Sequence, residues 1–250
     1  MSLFITSCGY IGGKRVKGNG NWKTDERAVS SFDRVEVHGA IDIYIIQGPV
    51  QPVKIEADEN LQKYIEVNES GSSLVIRNRS GYNLKPTGQM KIYVTAPVYK
   101  SIDVSGACNI YSESKINNPE DISMSVSGAG EIKMELDAPR VKVDISGAGS
   151  VKLEGETKDF DLELSGAGDA KCFDLKSENT SVRISGAGDA DVFASVKLTG
   201  SISGAGSVRY KGNAVADIKK SGAGSVKKVN WKKSEVGSRK SGSRKVGKKE

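Results

Sequence analysis

The stretch that decides the fold begins at Leu162 and reads L-E-L-S-G-A-G-D-A-K-C as far as Cys172. Its central Ser-Gly-Ala-Gly recurs through the second half of the chain, in a copy that lacks the last glycine at Ser105 and in full copies at Ser127, Ser146, Ser165, Ser185, Ser203 and Ser221. Successive copies are 18 to 22 residues apart. A period this short and regular is typical of proteins built from stacked units.

Each copy lies between two short runs in which apolar and polar residues alternate. Around Ser165 these runs are Leu162-Glu163-Leu164 and Ala170-Lys171-Cys172, and the other copies have equivalent runs. Alternation with a period of two predicts half-buried strands that have one face in a core and the other in water. The sequence therefore predicts an all-β protein in which each unit contributes two strands.

Two arrangements of these strands fit the alternation, a meander and a parallel β-helix or solenoid. The solenoid is favoured because the same residue type recurs at the same phase of every unit, so coils stacked ~4.8 Å apart place Ser on Ser and Ala on Ala. Glycine suits the corners because it tolerates positive φ and close backbone approach. We predict coils of roughly 18–22 residues with Ser-Gly-Ala-Gly corners, right-handed by the rule for parallel crossovers.

The repeat weakens at both ends of the array. Lys220 and Lys228 occupy inward positions of the last unit, which predicts a terminal cap, and near the start His38 occupies a serine position and Ile41 a glycine position. The alternating segments within residues 46–99 predict longer, irregular strands, and residues 58–64 are predicted to form a helical turn.

The opening Phe32-Asp33-Arg34-Val35-Glu36-Val37, the stretch Val53–Leu61 and the Ser-Gly-Ala-Gly ladder together resemble a bacterial family, common in the Bacteroidetes, called putative auto-transporter adhesin, head GIN domain. The resemblance covers residues 31–226. It implies a parallel β-helix-like domain that is usually exported and has no known catalytic site.

The N-terminus carries a second signal. Phe4-Ile5-Thr6-Ser7-Cys8 has the apolar, small, small, cysteine order of a lipoprotein cleavage site, so we expect residues 1–8 to be the remnant of a lipoprotein signal and Cys8 to be lipidated. The basic segment and most of the apolar stretch of a signal peptide are missing, so either the native start lies upstream or the sequence is truncated. The alternative is a chance cysteine near a cytosolic start. Residues 9–30, rich in glycine and basic residues at their start, predict a flexible tether.

The predicted location follows from the lipid anchor. No other segment approaches the ~20 apolar residues of a transmembrane helix, so any membrane link is through Cys8. We expect an exported outer-membrane or periplasm-facing lipoprotein, exposed at the cell surface in the adhesin interpretation.

The positive charge of the chain is concentrated at its end. The formal net charge is +6, but residues 227–250 alone carry ten Lys or Arg and two Glu. We expect this basic tail to be disordered. It could attract polyanions, although a solvated tail without a partner is the alternative, and it lacks the interleaved aromatic residues of a specific nucleic-acid binder.

The cysteines and the single histidine indicate neither a disulfide nor a metal site. Cys108 and Cys172 lie three coils apart, ~14 Å by strand spacing, which is too far for a disulfide, so both are predicted to be small buried residues. The chain has one histidine and no Cys-x-x-Cys pair, so we expect no metal site and no cofactor.

Carboxylates follow the second glycine in three units, as Glu131, Asp169 and Asp189. Stacking would place Asp169 and Asp189 on adjacent coils, ~5 Å apart, close to the spacing of a retaining glycosidase pair. Aspartate is also an ordinary residue after a glycine turn, and the sequence shows no aromatic cluster beside them to bind a sugar ring. We therefore treat these three residues as candidates for surface binding, with no catalytic residue.

The sequence predicts a non-catalytic cell-envelope protein, an adhesin whose repetitive surface binds a glycan or a host or matrix ligand through many weak polar contacts. Two alternatives remain, a ligand-free periplasmic or envelope scaffold and a β-helix enzyme that cleaves polysaccharide.

Overall fold

The structure is a computed structural model that describes residues 13–230 of the 250-residue chain. The helical turn predicted over residues 58–64 contains α1 (Glu59–Gln62), the single helix of the described range. The strands, in chain order, are β1 (Lys14–Lys17), β2 (Trp22–Arg27), β3 (Arg34–Gly39), β4 (Asp42–Gln47), β5 (Val53–Asp58), β6 (Ile65–Ser70), β7 (Ser73–Asn78), β8 (Tyr82–Lys85), β9 (Lys91–Ala96), β10 (Ser101–Gly106), β11 (Asn109–Ser112), β12 (Ile116–Asn117), β13 (Ile122–Gly128), β14 (Glu131–Gly147), β15 (Ser150–Gly166), β16 (Asp169–Gly186), β17 (Asp189–Phe193), β18 (Lys197–Gly204), β19 (Ser207–Lys211), β20 (Val215–Gly222) and β21 (Ser225–Lys228).

Parallel pairing arranges most of these strands in two rows that wind as a β-solenoid of about 6 turns, which confirms the predicted fold class. The first row runs, in spatial order, through β7, β3, β10, β13, β14, β15, β16, β18 and β20. The second row runs through β9, β4, β11, β14, β15, β16, β17, β19 and β21. The long strands β14, β15 and β16 contribute to both rows because each continues from one coil into the next.

The inward residues of the two rows stack into the core. In the first row the residue before each corner serine from Ser105 to Ser203 is apolar, and these residues pair in register from coil to coil as Val104, Val126, Ile145, Leu164, Ile184 and Ile202. All six are buried. The alternation in the sequence therefore corresponds to the inside and the outside of the solenoid, as period-two patterning predicts.

The corners explain why each unit needs two glycines. Gly147 has φ +118°, and a Cβ built there would lie 2.7 Å from the carbonyl oxygen of Gly128 on the preceding coil. The amide of Ala148 donates a hydrogen bond to that same oxygen, at 2.9 Å. At Gly149 a Cβ would meet the side chain of Val126, so both glycines are required by close backbone stacking.

The N-terminal end of the solenoid is covered by antiparallel strands. β5 pairs with β9, β2 pairs with β5, and β6 pairs with β7, all antiparallel. β1 pairs in parallel with β8. The prediction of a flexible tether over residues 9–30 is therefore wrong for β1 and β2. These two segments form strands because their backbones hydrogen-bond to the edges of β8 and β5. Residues 1–12, including Cys8, lie outside the described residues.

A buried carboxylate fastens this cap. Asp58 accepts hydrogen bonds from the amide of Gly20, at 2.8 Å, and from the hydroxyl and the amide of Thr87, at 2.8 and 2.9 Å. Its side chain is buried. Burial alone would raise the pKa of Asp58, but these hydrogen bonds to the charged form lower it overall. The cap therefore depends on an ionised aspartate.

The C-terminal end shows the expected loss of apolar residues. Lys220 and Lys228 pair in register with Ile202 and Tyr210 of the preceding coil, and both lysines are exposed. The first two residues of the predicted basic tail (227–250) belong to the solenoid, since β21 continues to Lys228. Residues 231–250 of that tail lie outside the described part of the chain.

The two cysteines in the described range are buried and unpaired, in accord with the prediction. Burial raises the pKa of Cys108 to about 11 and that of Cys172 to about 12. Over residues 13–230, no helix has the length and apolar character needed to cross a membrane.

Candidate functional site on the outer face of the second row

The three carboxylates singled out from the sequence lie in one column on the outer face of the second row. Glu131 pairs in register with Ser150, Ser150 with Asp169, and Asp169 with Asp189. We call the part of this column that follows Lys91 the polar ladder; its members, from the N-terminal end, are Asp42, Asn109, Glu131, Ser150, Asp169, Asp189, Ser207 and Ser225.

The structure brings Asp169 and Asp189 to adjacent coils, whereas Glu131 is separated from Asp169 by the coil that carries Ser150. Asp189 accepts a hydrogen bond from the amide of Ser207, at 3.1 Å. Within residues 13–230, none of the three carboxylates forms an ion pair with a basic side chain. Each is therefore available to accept hydrogen bonds from an external ligand.

The N-terminal end of the polar ladder is held by amide side chains. Asp42 accepts one hydrogen bond from Asn109 and another from Gln89, each at 2.9 Å. Gln89 also approaches the hydroxyl of Tyr44, at 3.4 Å. These contacts fix the Asp42 carboxylate next to an aromatic side chain.

That aromatic side chain belongs to a cluster that the sequence reasoning missed. Tyr44 stacks on Tyr93 with ring centroids 5.2 Å apart and an interplanar angle of 29°. On its other side it packs against Tyr111 in a tilted arrangement, with centroids 5.6 Å apart and an angle of 37°. The three rings occupy one register column, two residues after the polar ladder. We call this column, Tyr93, Tyr44 and Tyr111, the tyrosine ladder.

A sequence signal for the tyrosine ladder exists. Each tyrosine directly follows an isoleucine at the first inward position of its strand, as Ile92-Tyr93, Ile43-Tyr44 and Ile110-Tyr111. The sequence analysis expected no aromatic cluster beside Asp169 and Asp189, and the tyrosine ladder is indeed three or more coils from both. It lies beside the third carboxylate instead, with Tyr111 one coil from Glu131.

The tyrosine hydroxyls stay protonated across the physiological range. Burial raises the pKa of Tyr44 and of Tyr111, and the nearby Asp42 carboxylate raises both further. Lys91 lies over the ring of Tyr44, 5.4 Å from its centroid, and Lys54 lies 4.9 Å from that of Tyr93. The ladder therefore presents phenol donors between carboxylates and lysines.

Beyond Tyr111 the tyrosine column continues with charged residues, Lys133, Lys152, Lys171, Asp191, Arg209 and Lys227. Lys152 pairs with Glu154 at 2.7 Å, and this carboxylate raises the pKa of Lys152. Arg209 donates from two nitrogens to the two oxygens of Asp191, each at 2.6 Å, which is a bidentate pair. The face thus changes from aromatic to ionic along the solenoid axis.

A second concave feature lies at the other corner of the coils. This groove has a volume of about 670 Å³ and runs past Asn118, Thr157 and Ser177. The side chains of these three residues are hydrogen-bonded within the protein, for example from Thr157 to the carbonyl of Pro139 at 3.2 Å. The buried polar side chains of the groove are therefore already satisfied.

No group of three or more His, Cys, Asp or Glu side chains in the described range is arranged to hold a metal ion. The polar ladder does not provide a compact ligand set either, because Asn109 and Ser150 separate its carboxylates and leave only Asp169 and Asp189 on adjacent coils. The chemistry that this face offers is hydrogen bonding and aromatic contact.

The sequence of residues 31–214 matches the family described as putative auto-transporter adhesin, head GIN domain. The chain belongs to this family. The head GIN domain match starts where the sequence analysis placed it and ends before β20, so the last coil of the solenoid extends past the matched region. No curated protein is a significant match to the chain.

Solved structures share the head GIN fold. A putative adhesin from Bacteroides fragilis NCTC 9343 superimposes with a TM-score of 0.79 at 22% identity, covering 86% of this chain and 100% of its own. A putative adhesin from Parabacteroides merdae ATCC 43184 gives 0.66 at 22% identity, with 87% and 100% coverage. A putative lipid binding protein from Parabacteroides distasonis ATCC 8503 gives 0.66 at 23% identity, with the same coverage. At these identities the similarity establishes the fold.

Membership of the head GIN family suggests an exported cell-envelope protein. The family is described by an adhesin-like role, and that role is developed for this chain below.

Proposed function

We propose that this head GIN domain protein is an envelope adhesin that binds a surface polysaccharide or matrix glycan through the outer face of its second row. The observation that carries the proposal is the polar ladder: unpaired carboxylates and serines repeat along one face at the coil spacing. A polymer with repeating hydroxyl groups can lie along such a column and donate hydrogen bonds to several members at once.

Multivalency makes a shallow face sufficient. Each hydrogen bond to a carboxylate contributes only about 1.5–3 kcal/mol when it replaces water. Several sites on one rigid solenoid act at high effective concentration once the first contact forms, so the combined affinity exceeds that of any single contact by orders of magnitude. The rigid, regularly spaced coils suit a ligand that is itself repetitive.

Lipidation at Cys8 would anchor the adhesin, and we propose an outer-membrane or periplasm-facing lipoprotein on that basis. The basic tail adds a second, less specific attraction, for polyanions such as acidic glycans or lipid phosphates. Such long-range attraction is screened by salt, whereas hydrogen bonds to the ladder are not. Salt therefore separates the contributions of the tail and the ladder.

The proposal is tested with the full chain and a triple variant, Glu131→Gln/Asp169→Asn/Asp189→Asn, on a glycan and matrix-protein array. The matched control, Asp103→Asn/Asp161→Asn/Glu163→Gln, removes the same number of carboxylates from the outer face of the first row. We expect the ladder variant to bind at least tenfold more weakly than wild type and the control to bind within about twofold.

Equal binding by both triple variants would overturn the role of the polar ladder. Absence of any bound glycan or matrix protein would favour the ligand-free scaffold instead. Turnover of an acidic polysaccharide by wild type that is lost on Asp169→Asn or Asp189→Asn would favour the enzyme.

A further inference from the structure

A cavity of about 320 Å³ lies where the tyrosine ladder ends. Its lining residues are Tyr111, Ser112, Lys133, Met134, Glu135 and Glu154, drawn from three successive coils. Cavities that take small ligands have volumes of about 300–1,000 Å³, so this one is at the small end of that range. It can accommodate a compact unit such as one sugar ring.

The cavity is next to the free end of the aromatic stack. Tyr44 lies between two rings, and Lys54 covers Tyr93, so neither has an uncovered face along the column. Tyr111 is in contact with Tyr44 on one side, and on the other side its register partner is Lys133, at the cavity. Tyr111 is therefore the member of the ladder that offers an aromatic surface to a ligand.

The polar groups of the cavity suit hydroxyl donors. Glu135 and Glu154 pair in register on adjacent coils, so their like charges are close. Of these two carboxylates only Glu154 forms a direct ion pair, with Lys152 at 2.7 Å. Hydroxyl groups that donate to both carboxylates would relieve this repulsion. The hydroxyl of Ser112 accepts a hydrogen bond from the amide of Glu135, at 3.0 Å, and keeps its own proton for donation to a ligand.

We propose that this cavity binds one pyranose ring of the glycan, with a face of C–H groups against Tyr111 and hydroxyls on Glu135 and Ser112. The negative face of an aromatic ring attracts the weakly positive C–H groups of a sugar. An aromatic and acidic site would otherwise suit a cationic ligand, but the positive charge of Lys133 in the cavity wall disfavours one. This inference rests on the proposed function, because it identifies where on the glycan-binding face a single sugar is recognised.

Saturation-transfer NMR on the full chain, with glucose, galactose, mannose and N-acetylglucosamine as probes, tests the inference. We expect saturation transfer to at least one of these sugars, and at least a tenfold loss of affinity in Tyr111→Leu and in Glu135→Gln. The matched control is Tyr93→Leu, which removes a ring from the same ladder away from the cavity and should retain affinity within about twofold.

Glu135 is exposed, so Glu135→Gln keeps the test valid should Tyr111→Leu fold poorly. Saturation transfer to none of the four sugars, or equal losses in Tyr93→Leu and Tyr111→Leu, would overturn the inference. Binding of tetramethylammonium in place of any sugar would do the same. The proposed function is tested separately from this inference. Glycan binding that is lost in the polar-ladder variant but kept in Tyr111→Leu and Glu135→Gln would overturn the inference about the cavity and leave the adhesin proposal intact.

Discussion

The amide nitrogen of Ala167 donates a hydrogen bond to the carbonyl oxygen of Gly147, one coil earlier, at 2.9 Å. Equivalent bonds join Ala129 to Gly106 and Ala205 to Gly186, each also at 2.9 Å. The hydrogen-bond ladder therefore continues around the corner, where strands would otherwise end. Small residues at this corner are required because the backbones of successive coils meet there directly.

Gly166→Ala tests this requirement. Gly166 has φ +128°, and a Cβ there would lie 2.5 Å from the oxygen of Gly147, so we expect a loss of about 2–4 kcal/mol in the free energy of unfolding. The control is Gly71→Ala, which has φ +61° with open space around it and should cost about 1–2 kcal/mol from backbone strain alone. Urea denaturation measures both. Equal losses would show that coil stacking does not restrict the corner.

The buried thiols should resist alkylation at pH 8 in a Cys8→Ser variant. The thiolate is the reactive form, and a pKa of about 12 for Cys172 leaves about one molecule in 10⁴ ionised at that pH, with about one in 10³ for Cys108. We expect no reaction with a thiol reagent over minutes in the native protein and two reactive thiols in urea. Rapid reaction of either cysteine in the native protein would contradict the burial of these side chains.

The N-terminal cap should weaken in acid through Asp58. Its pKa is lowered in the folded protein from the ordinary aspartate value of 3.8, so the stabilisation is complete above that value and is lost as the pH falls through the lower, folded pKa. Asp58→Asn should lower stability at pH 7 by about 1–3 kcal/mol, because the charged acceptor for Thr87 and Gly20 is lost. It should also reduce the change in stability between pH 5 and pH 2. The comparison uses urea denaturation at each pH, and an unchanged pH dependence in the variant would contradict this role.

The lysines at the open coil should keep the protein from associating. β20 and β21 each pair with one neighbour within the described range, so their outer edges can accept another strand. Replacing the inward lysines in Lys220→Ile/Lys228→Val should produce oligomers in size-exclusion chromatography with light scattering. The control, Lys219→Ile/Lys227→Val, makes the same charge change on the outward face. Association of both variants to the same extent would mean that net charge, and not the open core, prevents assembly.

The sequence predicted the stacked coils because backbone contact at a corner imposes the same small residues at the same phase of every unit. It could not predict the N-terminal cap. β7 and β9 follow β3 and β4 in the chain but form the coil before them in space, and β2 joins β5 through antiparallel pairing that no local pattern encodes. The tyrosine ladder was missed for the same reason, since 48 residues lie between Tyr44 and Tyr93 in the chain although their rings stack at 5.2 Å. The column of Glu131, Asp169 and Asp189 followed directly from the repeat.

The central claim is that the outer face of the second row recognises a glycan through short-range contacts. Binding of the full chain to a glycan and matrix-protein array, measured from 50 mM to about 500 mM salt, tests it most directly, because attraction by the basic tail is screened over that range. The account predicts at least one glycan whose binding persists at high salt. Binding to polyanions alone, fading as the salt rises, would contradict it.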